Sequence, residues 1–377
     1  MSDVPGFGSG KAYPRSLVRA AKAAVEDVLA AKRGERFLII SNPNPETRDI
    51  AMSLFDAALQ AKAVPVLVFQ GEKGQFDYTE EEIVKALSAE PQIVLSISKD
   101  RLGMDRFGLK HGYKGKRRYD NLFDMLYSEG KMRAFWSPGI TIDTFSRTVP
   151  IDYSVLRNDC RRTLRAMSKA KSIRVTSPAG TDITVGVKGR VPKSDDGDFR
   201  HPGSAGNVPS GEVYVSPAIG STNGVIAFDG SMALNEGEVV IRRPIVVEVK
   251  DGFIKSVSGA SEADQLKKSI RSGEVNARSM GKKGEIKPSE AENYRRNARA
   301  IGELGIGLNR KAKIVANMLE DEKVYGTCHF AIGSNYDGDA DALIHLDGLV
   351  KSPTIAIFDG ATRREKQLMV DGRLVWN

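Results

Sequence analysis

Cysteine and histidine are scarce in this sequence of 377 residues, which holds two of the first and four of the second. With only Cys160 and Cys328 there is no disulfide framework, and neither belongs to a CxxC pair that would hold zinc by thiolate or run redox chemistry. Long apolar runs are also missing: nothing approaches the ~20 residues a membrane helix needs, so no membrane partner is expected. The opening "MSDVPGFGSGKAYPRS" has no apolar core of the kind a secretion signal carries, and a soluble, cytoplasmic protein is the resulting expectation.

What is present is ordinary in bulk. The apolar fraction of 41% and charged fraction of 28% are those of a globular protein, and the length suits about two or three domains with real cores. The formal charge of +8 raises the question of phosphate-rich partners. Its densest cluster, "GLKHGYKGKRRYD" (108–120), includes Tyr113 and Tyr119 as potential stacking rings, yet no nucleic-acid signature surrounds it. No nucleic-acid partner is expected, and the cluster reads as a solvated loop or a site for small anions. Two glycine patterns are set aside for a related reason. "GSGKA" (8–12) lacks the preceding strand and the Ser or Thr after Lys of a phosphate loop, and "GELGIG" (302–307) does not follow the first strand of a nucleotide fold.

The first third alternates helix and strand. Apolar residues recur at helical spacing in "SLVRAAKAAVEDVLAAK" (16–32), and "RFLII" (36–40) reads as a buried strand. Asn44 is placed to cap a helix that starts at Pro45. "VPVLVF" (64–69) is the next strand, Thr79 and Glu82 suggest a capping box, and "QIVLSI" (92–97) is the third strand. A helix and a strand follow within "DNLFDMLYSEGKMRAFWSPG". This alternation predicts an α/β, doubly wound parallel-sheet domain over about residues 1–165. From about 170 the sequence turns β-rich, with hairpin signals in "SIRVTSPAGTDITVGVKGR", "IVVEVKDGFIKSVSG" and "LMVDGRLVWN" and one helical insert, "ASEADQLKKSIRSGEVNARS". A lysine-rich stretch, "SMGKKGEIK" (279–287), is expected as a loop after it. The fold class is thus α/β with a second, β-rich domain over 166–377.

Chemistry concentrates in that second domain. In "LIHLDGLV", His345 and Asp347 are two apart and project from one face of a strand, a bidentate platform for a divalent metal. His329 in "GTCHFAIG" lies on another strand-like segment that pairing would bring beside them. Imidazole plus carboxylate suits zinc, manganese, cobalt or ferrous iron. On residues alone the alternative stands equal: hydrogen-bonded histidines with no ion. Glu212 in "NVPSGEVYVSP" and Glu303 in "ARAIGELGIGLN" sit among apolar and turn residues, where a carboxylate is costly unless paired or metal-bound.

Taken in order, "NVPSGEVYVSP", "ARAIGELGIGLN", "EDEKVYGTCHFAIGSN" and "IHLDG" resemble the signatures of the aminopeptidase T and aminopeptidase S metallopeptidases, over most of residues 170–360. The resemblance implies a metalloaminopeptidase: a hydrolase, and so a protease, with a dinuclear site of two divalent ions (zinc, cobalt or manganese). It assigns Glu212, Glu303, His329, Tyr336, His345 and Asp347 as metal ligands, with Glu212 or Glu303 as catalytic proton shuttle. It also implies a peptide or small-molecule substrate and a homodimer. Two such ions would activate a bridging water and polarise the scissile carbonyl. The loop from His329 to His345 spans only sixteen positions, shorter than in well-studied members, which bears on Tyr336 and on pocket shape. The same fold class also includes ring-cleaving dihydroxypyridine dioxygenases that use one ferrous ion held by two histidines and an aspartate. Retention of both glutamate motifs favours the two-metal hydrolase. Asp229, Asn309, Asp337, Asp339 and Asp341 are candidates to orient the ligands, though the three loop aspartates read more simply as turn formers beside Gly338, "EDEK" (320–323) reads as a turn, and Cys328 should point away from His329 and be inert.

Overall fold

A computed structural model describes residues 13–74, 77–360 and 365–375; "GSGKA" (8–12) lies outside the described residues. The chain divides into two units, one of Met1–Arg157 with Asp195–Ser210 and the other of Asn158–Ser194 with Gly211–Asn377. It crosses between them three times, where the sequence suggests a single boundary near 165.

The first unit is built on a parallel sheet. Its strands lie side by side in the order Ala205–Asn207, Arg133–Pro138, Ile93–Ser98, Arg36–Ser41 and Val64–Phe69, each pair running parallel. Alternation of side chains across a strand sends Leu38, Ile40, Val94 and Ala134 to one face. There they join Ile83 and Leu87 of the helix Glu81–Ser88 and Leu122, Phe123 and Leu126 of the helix Leu122–Ser128. The helices Arg15–Ala23, Pro45–Gln60 and Ile142–Thr148 pack together as a separate group. Asn44 caps Pro45–Gln60 as expected, its side chain accepting from the Thr47 N–H at 3.1 Å. The capping box at Thr79 and Glu82 does not form. Glu80 takes the cap position, and the Thr79 hydroxyl donates instead to the Leu102 carbonyl at 3.0 Å. The basic cluster forms a short helix, Arg106–His111, and a two-stranded ribbon, Tyr113–Lys114 with Arg118–Tyr119.

The second unit is a pair of sheets. One has eight antiparallel strands. The other has seven, and within it Ser231–Leu234, His345–Lys351, Thr327–Gly333, Ile301–Gly307 and Glu212–Val215 are neighbours in that order, paired antiparallel. Phe228 of the first sheet meets Phe330 of the second edge-to-face at 6.5 Å between centroids. Gly348 leaves room for the Phe228 ring, which a Cβ there would strike. The helical insert runs as Ser261–Lys282, so the first residues of the expected loop are helical, and a further helix, Pro288–Asn297, packs on it. Its start at Pro288 is a first-turn proline that the sequence reading passed over. Among the described residues no helix is long and apolar enough to cross a membrane.

Candidate metal centre

Four adjacent strands of the seven-stranded sheet aim polar side chains at one face. Glu212 opens its strand opposite Gly307, Glu303 lies opposite Ala331, His329 opposite Gly305, and Asp347 also opposite Ala331. His345 and Asp347 share a face, as their spacing predicts, while Cys328, Phe330 and Ile332 alternate to the other side and are buried. The small partners are what make the convergence possible. A Cβ on Gly305 would fall inside the imidazole of His329, so the ring lies over bare backbone. Gly302 and Gly307 have the same excuse: other segments of backbone cross them at Ser334 and Val324. Glycine weakens a strand interior unless something approaches closely, and here something does at each position.

His329 Nε2 is 3.2 Å from Glu303 Oε1 and 3.5 Å from Glu212 Oε2. His345 Nε2 is 3.4 Å from Asp347 Oδ1 and 3.8 Å from Glu303 Oε2. Atoms of Glu212, Glu303 and His329 lie within 4.8 Å of one another, as do atoms of Glu322, His329 and Asp347. His329 is fully buried, and Glu212, Glu303 and Asp347 are nearly so. Glu212 Oε2, Glu303 Oε2, Asp347 Oδ1 and His329 Nδ1 are buried with no hydrogen-bond partner. Leaving three carboxylate oxygens in this state costs several kcal/mol unless a cation completes them. The donor set therefore fits a divalent metal.

Electrostatics agree. Burial opposes a charged His329, but the bond to Glu303 and the charges of Glu212, Glu303 and Asp347 outweigh it and push the imidazole up to about 9. His345 is likewise pushed up to about 10, against burial, chiefly by Asp347. Asp347 itself is held down to about 2 by His345 despite its burial. Burial raises Glu303, with the two histidines pulling the other way. Each shift follows from burial set against the mutual attraction of acids and imidazoles.

Tyr336 stands at the rim. Its ring centroid is 5.3 Å from that of His345 and 5.4 Å from that of Tyr214, and the residue is 55% exposed. The Lys193 ammonium lies 5.7 Å over the Tyr336 ring and donates to the Tyr336 carbonyl at 3.2 Å.

The expected orienting residues are elsewhere. His345 Nδ1 meets the Ser334 carbonyl at 2.9 Å rather than a loop aspartate. Asp337 and Asp339 pair with Arg190, Asp341 offers its backbone carbonyl to Asn297, and Asp229 accepts from the Lys351 N–H. Asn309 backs the close approach of Gly211. A strand-edge carbonyl carries no sequence signal, so Ser334 was not findable from composition or spacing. "EDEK" is the larger correction. Glu320 and Asp321 do tie the turn, accepting from Lys313, Val315 and Ala316 N–H groups. Lys323, however, is 0% exposed and donates to Glu212 Oε1 at 2.6 Å and to Glu322, and Glu322 reaches His329 and Asp347. Burial holds the Glu322 carboxyl up at about 8, with Lys323 opposing. Four consecutive charges, three residues ahead of the strand Thr327–Gly333, do not by themselves mark the lysine as buried.

An α/β unit joined to a sandwich whose inner strands gather histidines and carboxylates defines an enzyme with a candidate metal centre. A family model described as 2,5-dihydroxypyridine 5,6-dioxygenase (NicX) matches residues 30–375, and the chain belongs to that family. Among solved structures it is similar to the 2,5-dihydroxypyridine dioxygenase of Pseudomonas putida KT2440, at 16% identity and TM-score 0.68 over 95% of this chain and 96% of that one. It is also similar to wild-type AmpT (aminopeptidase T) of Thermus thermophilus, at 16% identity and TM-score 0.65 over 96% and 99%. At such identity these two show a shared fold. No curated protein matches the chain. The aminopeptidase fold expected from the four motifs is therefore present, whereas the family that matches is the oxygenase one.

Proposed function

We propose that the protein is a dioxygenase that opens a dihydroxylated aromatic ring of the dihydroxypyridine class, with a single ferrous ion held by His329, His345 and Asp347. The observation that carries this reading is the aromatic pair Tyr214 and Tyr336, the second packed on His345, beside a two-histidine, one-carboxylate set, the ligand class that suits non-haem iron. Membership of the oxygenase family across residues 30–375 supports it. When bound, the iron supplies the redox chemistry that lets dioxygen react with an electron-rich ring. Both oxygen atoms enter the ring-opened product, so no outside reductant is required.

The residues of the chain do the rest. Tyr336 and Tyr214 offer faces on which a planar ring stacks, at spacings that favour tilted aromatic pairs. Glu303, raised by burial and 3.2 Å from His329, is suited to take a proton from a substrate hydroxyl and hold it. Lys193 at the rim favours a substrate or product carrying negative charge.

A second reading rests on a specific observation: Glu212, Glu303, His329, His345 and Asp347 all reach one cluster, the ligand set of a two-metal aminopeptidase. In it Glu212 or Glu303 shuttles the proton to the leaving amine, the ions are zinc, cobalt or manganese, and the enzyme is a homodimer. The readings separate in one assay. Protein reconstituted anaerobically with ferrous iron should consume oxygen stoichiometrically with 2,5-dihydroxypyridine. Amine release from aminoacyl substrates with zinc, cobalt or manganese, and no oxygen uptake with iron, would overturn the oxygenase.

A further inference from the structure

Lys323 and its partner Glu322 are cluster side chains that neither ligand set uses. Lys323 is fully buried beside the cluster, and its ammonium binds Glu212 Oε1 at 2.6 Å and Glu322 Oε1. Its backbone is fixed as well: the Lys323 N–H donates to the Glu320 carbonyl at 3.0 Å and the Lys323 carbonyl accepts from Asn309 N–H at 2.7 Å. A flexible surface lysine samples many rotamers, whereas this one has its stem enclosed and its charge aimed at two carboxylates.

We infer that Lys323 acts as a built-in cation standing in for a second metal ion: it draws Glu212 and Glu322 away from the ligand set and holds the centre to one divalent ion. The inference rests on the reading that this cluster binds metal, which both functions above share. Formal charge supports it. With the histidines neutral and all four carboxyl groups ionised, as bound metal favours, Glu212, Glu303, Glu322 and Asp347 against one ammonium leave −3. One divalent ion brings the buried site to −1 and a second to +1, so a second ion finds one negative charge left to neutralise where the site without the ammonium would offer two. Without Lys323, two ions would balance the four carboxylates. Uncompensated charge in a buried site is what sets how many ions enter, because each residual charge must be desolvated. Position agrees with charge. The ammonium touches the Glu212 carboxylate on one oxygen, where a metal would otherwise compete for it, and leaves the oxygen facing His329 unpartnered.

The test is metal stoichiometry on the full chain, stripped by chelator and titrated with Mn²⁺ alone, read by elemental analysis after gel filtration and by low-temperature EPR. The wild-type protein should bind one Mn²⁺ per chain with an uncoupled spectrum. E212Q should still bind one Mn²⁺ per chain with an uncoupled spectrum, because one oxygen of Glu212 is engaged by the lysine and the site has room for one ion only. K323M should admit a second ion and give a spin-coupled signal. Where K323M fails to fold, the wild-type and E212Q titrations decide alone. Two coupled ions in the wild type, or an ion lost in E212Q, would overturn the role of Lys323 while leaving the metal centre intact. No Mn²⁺ bound by any variant would overturn both.

Discussion

Two sets of strands in this protein are buried, with only Arg36 reaching solvent, and differ completely in what they bury. Ile93–Ser98 reads "IVLSIS" and Arg36–Ser41 reads "RFLIIS", branched and aromatic residues filling both faces of a parallel sheet. Ile301–Gly307 and Thr327–Gly333 read "IGELGIG" and "TCHFAIG", and every residue of both is buried too. In the first pair volume is supplied by the strand's own side chains. In the second it is supplied by a neighbour's, with Gly305 beneath the His329 imidazole as the clearest case. Buried strands with glycine in place of bulk thus mark where a sheet makes room for chemistry.

The contrast can be broken at either end. Replacing Phe135, fully buried in Arg133–Pro138, with alanine should destabilise the fold by about 3–5 kcal/mol while leaving metal per folded chain unchanged. Denaturant melts and elemental analysis check it together. G305A adds one methyl group, yet should cut metal affinity by about 10–100-fold, because the imidazole must leave its place. Its stability loss should be smaller than that of F135A, about 1–3 kcal/mol. A G305A protein with native affinity would mean that the ring does not need the bare backbone.

Acidity sharpens the comparison further. In the metal-free protein both imidazoles are raised, to about 9 and about 10, so at pH 7 they hold protons that an incoming ion must displace. Affinity should therefore climb by about tenfold per pH unit for each proton displaced, and level off above about pH 10. Calorimetry in buffers of different ionisation enthalpy reads the released protons directly; affinity flat between pH 6 and 9 would contradict the raised values. The smallest effect concerns Cys328. Fully buried, with its thiol pushed up first by burial and then by Asp229, it should resist alkylation at pH 8 in the folded protein and react only after unfolding.

Most of the fold was legible because periodicity reports burial. The parallel strands, the Asn44 cap and the hairpins follow from alternation and turn residues, and His345 and Asp347 share a face because two-residue spacing on a strand leaves no other choice. Glu212 and Glu303 stood out as carboxylates in apolar company. What stayed hidden depends on distance across the chain. Lys323 meets Glu212 over 111 positions, and nothing local in "EDEK" separates a solvated turn from a buried cation. The return of residues 195–210 to the first unit is hidden for the same reason: a three-residue strand, Ala205–Asn207, has no pattern of its own. The helix Pro288–Asn297 was lost behind a lysine-rich stretch that resembles a loop.

The most direct test of the central claim is anomalous scattering from a crystal loaded anaerobically with ferrous iron. The account predicts one iron peak per chain, within about 2.0–2.2 Å of a nitrogen of His329, a nitrogen of His345 and an oxygen of Asp347, with Lys323 still on Glu212. A peak away from these side chains, or none in a crystal shown to contain iron, would contradict it.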